Sequence, residues 1–203
     1  MAPDFKAWPK TPRLFRDMVV TEKIDGTNAA VIVQPAEVGD TLAGWCAFAG
    51  AHGTDFKVGA QSRNRVITPE ADNFGFAAWV RTNALTLAER LGPGYHYGEW
   101  WGYGIQRGYG LPKGDRRFSL FNVNRYADLD LSDGIGLGVV PVLKRHTFDT
   151  ADVRGTLDSL RAAGSVAAPG FDSPEGVIVF HSAAGSVFKA LLDGDDRPKG
   201  EAA

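Results

Sequence analysis

Short runs of β-branched and aromatic residues recur along the chain, each ended by glycine, aspartate or proline. Most connections between these runs are too short for parallel crossovers. Helical spacing of apolar residues predicts only two helices, near 73–91 and 150–163. The sequence therefore predicts an α+β fold built on antiparallel sheets. The predicted strands lie near 18–22, 28–34, 44–49, 95–101, 118–124, 139–143, 176–181 and 186–191.

The composition is that of one ordinary domain. Its 203 residues, 44% of them hydrophobic, suffice for a sizeable core. We therefore expect a single domain over 1–203, and a monomer, with a flexible polar tail at 193–203. The formal net charge of −2 excludes a globally basic surface, so any nucleic-acid contact must come from a local patch. One cysteine and the lack of a signal peptide or long apolar run favour a cytoplasmic protein without membrane attachment.

The stretch VVTEKIDGTN at 19–28 places Lys23 next to an Asp-Gly turn that leads back into an apolar run. Lysine is a nucleophile only when it is neutral, and burial or a neighbouring cation lowers the pKa of a lysine toward that state. Gly26 permits a close approach at the turn. A surface lysine in a hairpin turn is the alternative that these ten residues leave open.

Further motifs connect this lysine with a known chemistry. Lys23-Ile24-Asp25-Gly26 resembles motif I of the covalent nucleotidyltransferases, which include polynucleotide ligases and mRNA-capping guanylyltransferases. The later motifs of that superfamily have counterparts in the same order, so the resemblance covers 19–192. It implies a ligase nucleotidyltransferase (adenylation) domain, in which antiparallel sheets enclose a nucleotide cleft and the helices are peripheral. The counterparts are QSRNR (61–65), YGEWWG (97–102), FSLFNV (118–123), PEGVIV (174–179) and, in part, VFKALL (187–192).

Within the superfamily, EKIDGTN is similar to the motif of nick-sealing RNA ligases. DNA ligases and capping enzymes typically place arginine where this chain has Asn28, whereas RNA ligases often have histidine at the position of Asp25. The resemblance thus favours an RNA ligase. The alternatives are a small ATP-dependent DNA nick ligase, a capping-type guanylyltransferase and a nucleotide-binding module without turnover.

The resemblance also implies roles for individual residues. Lys23 is the expected catalytic nucleophile and Glu175 the expected metal ligand. Arg63 would contact ribose and phosphate through its guanidinium, Glu99 the ribose hydroxyls, and Phe121 the face of the purine. Lys189 would hold the α-phosphate as the second lysine of motif V, whose first position is Val187 here. The expected nucleotide-binding residues are Glu22, Ile24, Asn28, Arg63, Glu99, Phe121 and Lys189.

The implied reaction joins RNA ends. Lys23 would take AMP from ATP with the help of Mg²⁺ or Mn²⁺, pass it to an RNA 5′-phosphate, and a 3′-OH would then displace the AMP. ATP is favoured over NAD⁺, because the 22 residues before Lys23 are too few for a nicotinamide-binding domain. The 14 residues after Lys189 are too few for a C-terminal accessory domain, so either the catalytic domain suffices or an accessory protein helps to hold the RNA. The basic, glycine-rich segment 104–118 is a candidate for contact with the RNA backbone.

Overall fold

The computed structural model describes residues 3–131 and 134–194, so most of the expected tail at 193–203 lies outside the described residues. The helices are α1 (Phe76–Thr82), α2 (Ala84–Leu91) and α3 (Thr150–Ala163), and a 3₁₀ turn spans Gly108–Gly110. The strands are β1 (Asp17–Lys23), β2 (Thr27–Pro35), β3 (Ala47–Ala51), β4 (Thr54–Ser62), β5 (Val66–Ile67), β6 (Gly94–Gly102), β7 (Arg116–Leu120), β8 (Leu137–Val139), β9 (Val142–Thr147), β10 (Gly176–His181) and β11 (Ser186–Leu191).

The strands form two sheets. The four-stranded sheet has the order β11-β10-β1-β9, with every pair antiparallel. The seven-stranded sheet follows the order β3-β4-β2-β6-β7-β8, and β5 pairs with β4 beside this path. Its pairs are antiparallel except for β7 and β8, which run parallel. The predicted α+β fold with antiparallel sheets and few helices is confirmed.

The segment between β1 and β2 connects the two sheets. β1 belongs to the four-stranded sheet and β2 to the seven-stranded sheet, so the turn does not close a hairpin. Gly26 is required there, because a Cβ atom would lie 2.4 Å from the carbonyl oxygen of Trp100. The interpretation of Lys23 as a lysine in a surface hairpin is therefore wrong. Lys23 instead ends β1 at the junction of the two sheets.

Each sheet packs its helices on one face. On the seven-stranded sheet, Val31 and Trp100 pack with Val80 of α1 and Leu87 of α2 in the largest buried cluster. On the four-stranded sheet, the cluster around Leu160 of α3 includes residues of β1 and β10. In the part of the chain that the structure describes, no helix is both long and apolar enough to span a bilayer.

The opposite faces of the sheets meet through a third buried cluster. It joins Val19 of β1 to Trp101 of β6, together with Ile24 and Tyr109 from the connecting segments. Alternate residues of a strand point to opposite faces of its sheet. Lys23 therefore shares a face with Val19, and Glu99 shares one with Trp101, so the expected site residues lie on the facing sides of the two sheets.

Several details of the prediction were wrong. The short strand β5 was missed, and the strand expected near 139–143 is divided between β8 and β9, which lie in different sheets. The strand β4 was missed although its apolar residues alternate with lysine, glycine and glutamine, because Val58 is the only β-branched residue between positions 56 and 61. The single helix expected near 73–91 is two helices that meet at Asn83, whose side chain donates to the carbonyl oxygen of Trp79. Asp72 nevertheless accepts hydrogen bonds from the amides of Ala77 and Ala78, and so satisfies the first turn of α1.

Candidate active site

The side chains of Lys23 and Glu175 form an ion pair at the junction of the sheets. Glu175 directly precedes β10, and Lys23 is opposite Gly176 in the pairing of β1 with β10. The register of the four-stranded sheet thus places the carboxylate beside the amine. Both side chains are only partly exposed, at 24% and 18%. The expected nucleophile and the expected metal ligand are therefore direct neighbours.

Asn28 links two other expected nucleotide-binding residues. Its Nδ2 donates to Oε2 of Glu99 at 2.5 Å, and its Oδ1 accepts from Nη2 of Arg63 at 2.7 Å. The other carboxylate oxygen of Glu99 accepts from the amide of Gly26 at 3.0 Å. Asn28 is opposite Glu99 in the pairing of β2 with β6, which fixes this geometry. The network ties the turn after Lys23 to the seven-stranded sheet.

Glu99 is a carboxyl group in an unfavourable environment for charge. Burial raises its pKa from 4.5 to about 7, although the hydrogen bonds from Asn28 and Gly26 act in the opposite direction. The group is only 7% exposed. A buried carboxylate of this kind gains from additional donors, which the hydroxyl groups of a bound ribose would supply.

The side chain of Glu22 points away from Lys23 and is 1% exposed. Its carboxylate accepts from the hydroxyl of Ser165 at 2.5 Å and from the amides of Val166 and Ala167 at 2.8 Å. The carboxylate thereby holds the segment after α3 against β1. The nucleotide-binding role of Glu22 stays a prediction, and its side chain is engaged within the protein.

The side chain of Ile24 is also buried, at 4% exposure, in the cluster between the sheets. Its packing holds the turn after Lys23 against Trp101. As with Glu22, a direct contact of the side chain with a nucleotide stays a prediction.

Lys189 lies on the same face of the four-stranded sheet as Lys23. Its cross-strand partner is Ile178, which is in turn opposite Thr21 of β1. Directly opposite residues point to the same face. Lys189 is exposed, and among the described residues its side chain has no hydrogen bond or ion pair. Val187, at the position of the first motif V lysine, shares this face and is likewise exposed.

Phe121 follows β7 and continues its pairing with β6, since its amide donates to the carbonyl oxygen of Tyr97 at 3.0 Å. The ring is 43% exposed, unlike the fully buried ring of Phe118. Alternation along the strand puts Phe121 on the face of Ser119, which pairs with Glu99. An accessible ring on this face is available to stack on a base.

A loop that the sequence did not identify as part of the site supports the turn after Lys23. Nε of Arg107 donates to Oδ2 of Asp25 at 3.1 Å, and Nη1 donates to the carbonyl oxygens of Ser173 and Pro174 at 2.7 and 3.2 Å. The hydroxyl of Tyr109 accepts from the amide of Asp25 at 2.7 Å. Arg107 thus bridges the segments that carry Lys23 and Glu175. The only local signal in the sequence was its richness in glycine. In the structure, Tyr109 of this loop has a positive φ of 53°.

Other basic residues of 104–118 have partners within the chain. Arg116 donates to the carbonyl oxygens of Tyr103 and Phe74. Arg117 pairs with Asp115 and lies over the ring of Trp101. Contact between this segment and RNA stays a prediction, although these guanidinium groups are already engaged.

The residues present fit a magnesium or manganese ion that is held chiefly by the nucleotide. The described residues contain no cluster of three or more potential metal ligands. Mg²⁺ at nucleotide sites is usually bound by one or two carboxylates together with water and phosphate oxygens. Glu175 beside Lys23 matches that donor set.

Comparisons with known proteins identify a family and solved structures of similar fold. A sequence model of the RNA ligase family matches residues 16–191. No curated protein sequence matches the chain. Among solved structures, a Naegleria gruberi RNA ligase with PPi is 18% identical, with a TM-score of 0.52, over 94% of this chain and 57% of the other. A mutant of that ligase with AMP and Mn is 18% identical, with a TM-score of 0.55, over 93% of this chain and 53% of the other.

At this identity the structural likeness concerns the fold, and the chain spans about half the length of these ligase chains. The family assignment rests on the sequence match. The matched residues include Lys23, Glu99 and Glu175 and the strands that contain or adjoin them. The chain belongs to the RNA ligase family.

Proposed function

We propose that this protein is an ATP-dependent RNA ligase that forms a covalent lysyl-AMP intermediate on Lys23. The observation that carries the proposal is the convergence of the Lys23–Glu175 pair and the Asn28–Glu99 network on one turn between the sheets. Membership of the RNA ligase family supports it. The related ligase structures contain ATP or AMP with Mn, and PPi, which are a substrate and products of such a reaction.

In the first step, the lone pair of Lys23 Nζ attacks the α-phosphorus of ATP. The bond between this phosphorus and the bridging oxygen breaks, and pyrophosphate leaves with the electron pair. The amine must be neutral to attack, so its ion pair with Glu175 has to open and a proton has to leave. Arg63 and Lys189 would balance the charge on the phosphate.

The remaining steps transfer and then release AMP. An oxygen of the RNA 5′-phosphate attacks the phosphorus of lysyl-AMP, and the P–N bond breaks to restore the lysine. The oxygen of a 3′-OH then attacks the activated 5′-phosphate, loses its proton and displaces AMP. The contribution of the protein to these steps is mainly positioning and stabilisation of charge.

A divalent cation held by Glu175 and the phosphates would neutralise charge on the transferred group. The adenine would stack on Phe121, and its ribose would donate to Glu99 and contact Arg63. The RNA is proposed to present a 5′-phosphate and a 3′-OH. We further propose a cytoplasmic monomer of one nucleotidyltransferase domain, aided by an accessory protein that adds RNA-binding surface.

Two assays separate this proposal from its alternatives. Incubation with labelled ATP or GTP distinguishes an adenylated ligase from a guanylylated capping enzyme and from a module that forms no adduct. Sealing of matched nicks in RNA and in DNA distinguishes the two kinds of ligase. The proposal expects an AMP adduct and preferential sealing of RNA, and a GMP adduct or exclusive sealing of DNA would contradict it.

A further inference from the structure

Two tyrosines of β6 lie on the nucleotide-binding side of the seven-stranded sheet, beyond the proposed site. Tyr95 and Tyr97 alternate with buried His96 and Gly98, so they point to the same face as Glu99. They are 45% and 53% exposed, although both belong to a central strand. Half-exposed rings at these positions contribute less to the core than buried ones would.

The two rings form a preorganised surface. Their centroids are 6.2 Å apart and their planes differ by 19°, which is a stacked arrangement. Phe121 is next to Tyr97 across the strand pairing, so three accessible rings extend outward from Glu99. We call Tyr95 and Tyr97 the tyrosine strip.

One guanidinium group lies beside the loop that follows Phe121. Arg145 Nη1 donates to Oδ1 of Asn124 at 2.8 Å. Within the described residues this group has no carboxylate partner, so it keeps a positive charge that the chain itself does not neutralise. Arg125 is on the other face of the sheet, where its guanidinium lies over the ring of Tyr126 and near His96.

We propose that the tyrosine strip binds unpaired bases of the RNA substrate, while Arg145 contacts an adjoining phosphate. The inference rests on the proposed function, because it names how the RNA is held next to the adenylated lysine. Aromatic faces stack on any base, and nearby cations follow the backbone, which is how proteins bind single strands without reading sequence. The strip continues the face that carries Glu99 and Phe121, so a strand lying on it leads directly to the site.

The test measures binding of a short, single-stranded, 5′-phosphorylated RNA with a fluorescent label at its 3′ end, in the absence of ATP. Tyr97→Ala and Tyr95→Ala should each weaken binding by roughly 5- to 150-fold, the range for one lost stacking contact. Tyr97→Phe and Tyr95→Phe retain the ring and serve as matched controls, so they should bind nearly as tightly as the wild type. Thermal unfolding of each variant shows whether it is folded.

The salt dependence separates the two kinds of contact. Arg145→Gln should lower the slope of log affinity against log salt by about one, whereas Tyr97→Ala should leave the slope unchanged. An RNA with abasic sites should bind the wild type and Tyr97→Ala equally. Equal binding of the intact RNA by Tyr97→Ala, Tyr95→Ala and the wild type would overturn the inference.

Failure of the inference can be distinguished from failure of the proposed function. Adenylation of the wild type by ATP is measured separately and does not require RNA. If the wild type is adenylated but the tyrosine variants bind RNA normally, the proposed function stands and the RNA-binding role of the tyrosine strip is refuted. If the tyrosine variants lose RNA binding but the wild type forms no adduct, the role of the strip stands and the proposed catalysis is refuted.

Discussion

The amine of Lys23 is paired with the carboxylate of Glu175, a residue 152 positions away in the sequence. The pairing of β1 with β10 brings them together. In the free protein, the carboxylate thus engages the amine that has to attack the phosphate. A nucleotide that arrives with its metal ion competes for the same carboxylate. Binding of substrate and release of the nucleophile are therefore coupled in this account.

Glu175→Gln should reduce the rate of adenylation by about tenfold or more, because a neutral amide is a poor partner for a divalent cation. The rate is measured as a function of Mn²⁺ concentration, and the half-maximal concentration should rise. Glu89→Gln, at an exposed position on α2, is the matched control. If the Mn²⁺ dependence of Glu175→Gln were the same as that of the wild type, Glu175 would not be a metal ligand.

Glu99 should make stability depend on pH. Because its folded-state pKa is raised to about 7, its contribution to stability is fully present below 4.5 and is lost as the pH rises through about 7. The free energy of unfolding of the wild type, minus that of Glu99→Gln, should therefore fall between about pH 5 and about pH 8. Denaturant titrations at both pH values measure this difference.

The comparison with Glu99→Gln removes the opposing effect of His96. Burial lowers the pKa of His96 to about 4, so its contribution is present above 6.5 and is lost as the pH falls toward 4. Both proteins contain His96, and its effect cancels in the difference. A difference that does not vary with pH would show that Glu99 titrates normally.

Arg107 should act as a positioning residue for the turn that follows Lys23. Arg107→Ala removes the bonds to Asp25 and to the carbonyl oxygens before Glu175, which should lower kcat of adenylation by about 10- to 100-fold. The KM for ATP should change little, because Arg107 has no expected contact with the nucleotide. Arg107→Lys keeps the charge without the guanidinium fork and should recover only part of kcat. A rise in KM at constant kcat would indicate nucleotide binding instead.

The isolated protein should bind RNA weakly and with a shallow dependence on salt. Its net charge is −2, and Arg107, Arg116 and Arg117 are engaged within the chain. Few phosphates can therefore be neutralised. Affinities measured from low to moderate salt test this expectation. A steep slope would mean that a local basic patch suffices and that no accessory protein is needed.

The sequence predicted the parts of the site that depend on local order. The β-branched and aromatic residues of β1 and β6 predicted the strands, and the motif residues around Lys23 and Glu99 predicted the candidates. In the structure, the register of the four-stranded sheet places Lys189 on the same face as Lys23.

The sequence could not reveal contacts between distant segments. Arg107 and Asp25 are 82 positions apart, and no local pattern pairs them. The position of Glu22 in the motif predicts a role at the nucleotide site, whereas its carboxylate accepts from Ser165 and the two amides that follow, 143 to 145 positions away. Likewise, the sequence does not distinguish Tyr95 and Tyr97 from ordinary strand residues. Their alternation shows that they share a face of the sheet, but it does not show which face is left exposed to solvent.

The central claim is that Lys23 carries the AMP. Intact mass spectrometry after incubation with ATP and Mn²⁺ tests it most directly, with Lys113→Ala as a control at an exposed lysine. The wild type and Lys113→Ala should each gain the mass of one AMP, and Lys23→Ala should gain none. An AMP adduct on Lys23→Ala, or no adduct on the wild type, would contradict the account.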